Sequence, residues 1–166
     1  MIHINLKTKV YYLLVIIMNI VKKIEQYDDN NIFFCEPIKN NIMNEGNFIR
    51  ILYSNSYFVL NGIYLLITLT DIICEKYYNK FKCIFNISHH KEYIENLKLI
   101  EENLLKKVDI KGKIPQYKIY EQIKNGNIKL FNDVGNKNAC SFILKISGIW
   151  ETHSNYGLTY KFIKIN

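Results

Sequence analysis

The sequence predicts a mainly β domain in which three strands, one helix and a return to strands build a small Greek-key barrel with an extended C-terminal hairpin. Three observations predict it. Short runs rich in β-branched and aromatic residues are punctuated by Asn and Gly. From His89 to Val108 the apolar spacing changes from two to three and four. Two alternating runs, Ser141 to Trp150 and Tyr156 to Ile165, then face each other across Glu151 to Asn155. A chain of 166 residues with 49% hydrophobic content can bury one core without metals or disulfides.

Tyr27 to Asn47 is turn-rich, with Asp28 to Asn31, Pro37 and Asn44-Glu45-Gly46-Asn47, and reads as an ordered lead-in. Phe48 to Tyr53 and Phe58 to Leu69 are the first two strands, the second bent or bulged at Asn61-Gly62. Tyr78 to Ile87 sets Phe81, Cys83 and Phe85 against Lys80, Lys82 and Ile84, a half-buried third strand. In the helix, Tyr93, Ile94, Leu97, Ile100, Leu104, Leu105 and Val108 make the apolar stripe, with Ser88 and Glu92 as an approximate cap and Glu101 and Glu102 on the solvated face. Lys111-Gly112-Lys113 ends it. Pro115 then opens an extended run, Gln116 to Ile123, which Lys124-Asn125-Gly126-Asn127 folds back onto Ile128 to Phe131 as a hairpin. A polar loop, Asn132 to Ala139, leads to the final hairpin.

This order is that of an OB-like barrel, whose helix plugs one end between the third and fourth strands. A mixed α+β sheet with one helix packed on a face has the same order. The domain is expected over 28–166, after an N-terminal extension over 1–27. Within that extension the apolar run Val10 to Val21 is shorter than the roughly 20 residues of a spanning helix. No small-residue cleavage site follows it, so a start at Met18 is the favoured reading over a signal peptide.

The formal charge of +7 comes almost wholly from lysine, Arg50 being the only arginine. Lysine tracks a phosphate backbone as a point charge, whereas arginine's fork reads base edges. The composition therefore suits a polyanion bound without sequence readout, although lysine-rich, AT-biased coding would raise the charge by itself. Cys35, Cys74, Cys83 and Cys140 make no C-x-x-C pair and read as reduced thiols. His89 and His90 are adjacent, and no histidine has metal-ligand spacing, so no metal or cofactor is expected. Neither a nucleophile elbow nor a phosphate-cradling glycine loop is present, and no acid, base and nucleophile can be assembled; an enzyme is not expected.

Aromatic rings interleaved with cations are what single-strand binding needs, since bases stack on rings while lysines neutralise phosphates. In the last strand Leu158, Tyr160 and Phe162 oppose Thr159, Lys161 and Ile163. In the strand before it Phe142, Leu144 and Ile146 oppose Ile143, Lys145 and Ser147. One face of each is core. The candidate binding residues are Arg50, Tyr53, Tyr57, Lys82, Tyr117, Lys118, Tyr120, Lys145, Trp150 and Lys161.

Four segments carry a resemblance: Asn40 to Ser54 (NNIMNEGNFIRILYS), Leu60 to Tyr64 (LNGIY), Lys145 to Glu151 (KISGIWE) and Tyr156 to Phe162 (YGLTYKF). Together they resemble OB-fold single-stranded-DNA-binding proteins of nucleocytoplasmic large DNA viruses, related to those of podovirus-type phages. The resemblance implies a non-catalytic protein that coats and protects single-stranded DNA in viral replication or recombination, as a homodimer, in the host cytoplasm or a viral replication compartment. In that family an acidic tail recruits replication proteins. This sequence ends Lys161-Phe162-Ile163-Lys164-Ile165-Asn166 without a carboxylate run, which counts against such recruitment. RNA is the alternative nucleic-acid partner, and no membrane partner is expected. The competing reading is a viral structural or protein-interaction module that binds through a strand edge or helix face.

Overall fold

The computed structural model describes residues 20–42, 45–108, 110–131, 133 and 135–165. Most of the N-terminal apolar run, the start at Met18, and Met43-Asn44 of the turn before the first strand lie outside them. The described elements are β1 (Lys22–Lys23), β2 (Ile32–Phe34), β3 (Ile38–Lys39), β4 (Asn47–Ser54), β5 (Val59–Leu60), β6 (Ile63–Tyr77), β7 (Lys80–Ile84), α1 (Lys91–Val108), β8 (Ile114–Gln116), α2 (Lys118–Ile123), β9 (Asn127–Leu130), β10 (Lys137–Glu151) and β11 (Asn155–Lys164). Short 3-10 turns precede β2 and α1.

The long strand β10 organises the sheet. It pairs antiparallel with β11 from Phe142 to Glu151, with β6 from Lys137 to Ile146 and with β4 from Gly148 to Trp150. A strand has two edges, so β6 and β4 share the edge that β11 does not occupy, end to end. The changeover falls at Ile146–Gly148, where the β11 register also slips by one residue. Two glycines make room for it. At Gly148 a Cβ would lie 2.4 Å from the Ile49 carbonyl oxygen and 2.4 Å from the Phe48 ring, and at Gly62, with φ +109°, 2.5 Å from the Ile146 carbonyl oxygen.

Alternation puts Ile51, Tyr53, Ile63, Leu65, Ile67, Phe142, Leu144, Ile146, Ile149, Leu158 and Phe162 on the inner face, all buried. Against them α1 lays Ile94, Leu97, Ile100, Leu104 and Leu105. Each fully buried Leu or Ile contributes about 1.5–3 kcal/mol, so this sandwich of helix and sheet is the main source of stability. The helix entry differs from the sequence expectation in one detail: Asn86, not Ser88, accepts the capping N–H, from Ser88 itself.

The expected barrel does not close. Among the described residues no ladder joins the end strands of the path β2-β4-β10-β6-β7-β9, and β9 pairs only with β7. The sheet is open with α1 on one face, the arrangement that the same element order also allowed. The physical reason lies in 116–123. That run, expected as an extended strand and half of a hairpin, keeps only Gln116, the last residue of β8, in a strand before helix α2 begins at Lys118. Ile119 and Ile123, four residues apart, fall on one side of α2 and are buried. Lys124 to Gly126 is therefore a helix-to-strand turn.

Glu101 explains why a helix forms there. It is buried rather than solvated, and its carboxyl accepts the backbone N–H groups of Ile119 at 3.0 Å and Tyr120 at 2.7 Å. Two of the unpaired donors at the start of α2 thus gain a partner on α1. Burial pushes the Glu101 carboxyl from its ordinary 4.5 up to about 7, against the opposing pull of those N–H groups. Tyr160 completes the junction, its hydroxyl donating to the Lys118 carbonyl at 3.0 Å.

Candidate nucleic-acid interface

The outward positions of β4, β6, β10 and β11 form one continuous face. Lys145 stands between Tyr64 on β6 and Lys161 on β11, directly in register with both. The Lys145 ammonium lies 5.1 Å from the centroid of the Tyr64 ring, a cation–π contact worth about 0.5–2 kcal/mol between two half-buried side chains. Gly148 stands between Arg50 on β4 and Thr159 on β11. Asn61 ties the two rows together: its side-chain oxygen accepts from Arg50 Nη1 at 2.9 Å, and its carbonyl accepts from the Tyr64 hydroxyl at 3.4 Å. The result is a chain of groups, Arg50–Asn61–Tyr64–Lys145–Lys161, carrying three cations.

One step further along the same face lies an apolar hollow of about 360 Å³ whose lining includes Ile38, Ile42, Phe48 and Trp150. Phe48 and Trp150 are cross-strand partners, as are Ile38 and Phe48. The absence of a side chain at Gly157 seats the indole: a Cβ there would come within 2.8 Å of Trp150 Cζ2. Phe48 lies over Gly148 for the same reason. Lys39 joins the rim, and Ile42 is 96% exposed.

Of the residues expected from sequence, Arg50, Lys145, Trp150 and Lys161 meet on this face. Tyr53 does not. It is 2% exposed, part of the core, its hydroxyl accepting from Asn31, because β4 turns Ile49, Ile51 and Tyr53 inward and Phe48 and Arg50 outward. Tyr57 is exposed at the turn between β4 and β5. Tyr117 and Tyr120 belong to the α2 junction, partly buried against the core, with the Tyr120 ring between Lys98 and Lys124 at 5.3 and 5.4 Å. Lys82 and Lys118 line a separate groove between β7, β9 and α2.

Tyr64, Asn61 and Phe48 were missed as site residues. Tyr64 was legible in principle, since it alternates in phase with Leu66 and Thr68 against the buried Ile63, Leu65 and Ile67. In the sequence Asn61 signals only a bend or bulge with Gly62.

The chain matches no family model, no curated protein and no solved structure with which it was compared. The resemblance to the OB-fold single-stranded-DNA-binding proteins of large DNA viruses and phages is therefore corrected. No relative supports the viral identity, and the open sheet with α2 in place of a closing strand is not the barrel on which it depended.

Proposed function

We propose that the outer face of β4, β6, β10 and β11 binds single-stranded nucleic acid without catalysis. The supporting observation is the row Arg50, Tyr64, Lys145 and Lys161 running beside the Phe48 and Trp150 hollow. Phosphates meet the cations while one or two bases enter the hollow, each base stacked on an aromatic ring gaining about 1–3 kcal/mol. Arg50 is the only forked donor in the row and its Nη1 already donates to Asn61, so little sequence preference is expected.

Trp150 is the chain's single tryptophan, which makes its emission a reporter of the hollow. Titration with oligo-dT and oligo-U is expected to quench it saturably. The affinity falls with salt on a logarithmic slope of about 2 if all three cations contact phosphates, at about 0.7 for each. Changing Lys145 and Lys161 together to Gln flattens the slope and weakens binding roughly tenfold. Absence of saturable binding at low salt, or a slope unmoved by the double change, rejects the proposal.

The exposure of Ile38 and Ile42 favours a second reading, a protein-interaction module that docks a partner on the hollow. Nuclease-resistant capture of one stoichiometric protein, lost in Ile42→Asp, would select it.

A further inference from the structure

The open side of the sheet holds a second site, independent of the outer face. A groove of about 400 Å³ lies between β7, β9, α2 and β11, lined by Tyr77, Lys82, Lys118, Glu121, Gln122 and Lys129 among others. Its lining holds three lysines and one carboxylate, and that carboxylate, Glu121, is already bound to Lys118 at 2.8 Å. Lys82 and Lys129 are direct cross-strand partners, a like-charge arrangement that destabilises a sheet unless an anion intervenes. Glu75 stands across from Lys82 on its other side, but among the described residues no ion pair joins them. Lys129 instead leans on the Tyr77 ring at 5.1 Å.

Gln122 adds a second observation. Its amide nitrogen is buried in the groove wall and has no hydrogen-bond partner. A buried N–H donor left unmade costs about 1–3 kcal/mol, and an anionic oxygen reaching the groove wall would satisfy it. Asn125 and Asn127 each donate to a backbone carbonyl, leaving amide oxygens as acceptors, and Tyr77 presents an exposed ring at the rim. The Lys82–Lys129 pair thus lies between the Tyr77 ring on one side and Asn127 on the other, an arrangement that suits a ligand with a phosphate joined to a flat heterocycle.

We propose that this groove binds a nucleoside 5′-monophosphate, with the phosphate held by Lys82, Lys129 and Gln122 and the base beside Tyr77. The same chemistry is offered by a free mononucleotide and by the 5′-phosphorylated end of a strand.

The test uses the full chain. Equilibrium titration at low salt compares adenosine 5′-monophosphate with adenosine, and 5′-phosphorylated with 5′-hydroxyl oligo-dT. The monophosphate is expected to bind saturably and at least tenfold more tightly than adenosine. The paired change Lys82→Gln and Lys129→Gln abolishes that preference, and Gln122→Met, which removes the side-chain amide with its orphan donor, reduces it several-fold with the fold intact by circular dichroism. The outer-face change of Lys145 and Lys161 to Gln leaves monophosphate affinity unaltered, so failure of the groove and failure of the outer face are separately visible. A several-fold preference for the phosphorylated oligonucleotide, lost in the Lys82 and Lys129 variant, assigns the strand end; no such preference with monophosphate binding retained assigns the free nucleotide. Equal affinity for adenosine and its monophosphate, no binding of either, or an unaltered monophosphate affinity in a folded Lys82 and Lys129 variant overturns the proposal.

Discussion

Glu101→Leu is expected to be less stable than the wild type in urea at every pH, with a deficit about 2–3 kcal/mol larger at pH 5 than at pH 8. The folded carboxyl has its pKa raised to about 7 by burial, above the 4.5 of the unfolded chain. A group raised in this way lends its full stabilisation below the unfolded value and loses it as pH rises through the folded one. At pH 5 the carboxyl is neutral in the fold and contributes; at pH 8 it is ionised in a dry site and does not. The pH-independent part of the deficit comes from the Ile119 and Tyr120 N–H groups, which lose their acceptor in the leucine variant. His90 slopes the other way. Burial lowers its pKa, so its contribution is present above its ordinary value of 6.5 and fades as pH falls. The difference between wild type and variant cancels that term, which the wild-type profile alone would not. A deficit that stays constant from pH 5 to pH 8 would show that Glu101 is ionised throughout.

Gly148→Ala is expected to lower stability by about 3 kcal/mol, at the upper end of overpacking changes, since the added methyl meets a backbone oxygen and a ring, both at 2.4 Å. The Ile49 carbonyl cannot rotate away as a side chain would. Strand β4 must therefore separate from β10 where only three residue pairs, Gly148 to Trp150, hold it. Because Arg50 and Phe48 ride on β4, Trp150 emission should shift in the unliganded variant as well, and oligonucleotide binding should weaken. Urea unfolding followed by Trp150 fluorescence reads both effects. Wild-type stability together with an unshifted emission would mean that β4 does not dock at this point.

The strands and the main helix were legible because their periods are strong. The final hairpin, β4, β7 and α1 lie close to where alternation or three-and-four spacing places them, and pattern alone separates Phe142, Leu144 and Ile146 from Ile143, Lys145 and Ser147, the first set proving to be the buried one. What failed depended on long-range partners. Gln116 to Ile123 has enough Tyr and Ile to pass as a strand, and only a carboxylate some 18 residues upstream, buried on another helix, makes it helical. Glu101 in turn looks like any charged helix position beside Glu102. The closing of a barrel is likewise a property of edges, and no local pattern states that β10 divides one edge between two strands. The same limit applied to the site. Charge and ring content nominate Arg50, Lys145, Trp150 and Lys161, but they nominate Tyr53 as well, whose own phase in β4 turns it inward.

The division of β10's edge also shapes how the chain can fold as it is made. Strand β6 ends at Tyr77 and its partner β10 begins at Lys137, roughly sixty residues later, a delay of about 3–12 s at ordinary synthesis rates. Throughout that interval the inward residues Ile63, Leu65 and Ile67 have neither the β10 backbone nor the final hairpin beside them. A long apolar strand with an unpaired edge is a template for association with another copy. Non-local pairing of this kind also places folding toward the slow end of the range for small domains. Nascent chains arrested just before residue 137 are therefore the species that holdase chaperones should engage most strongly.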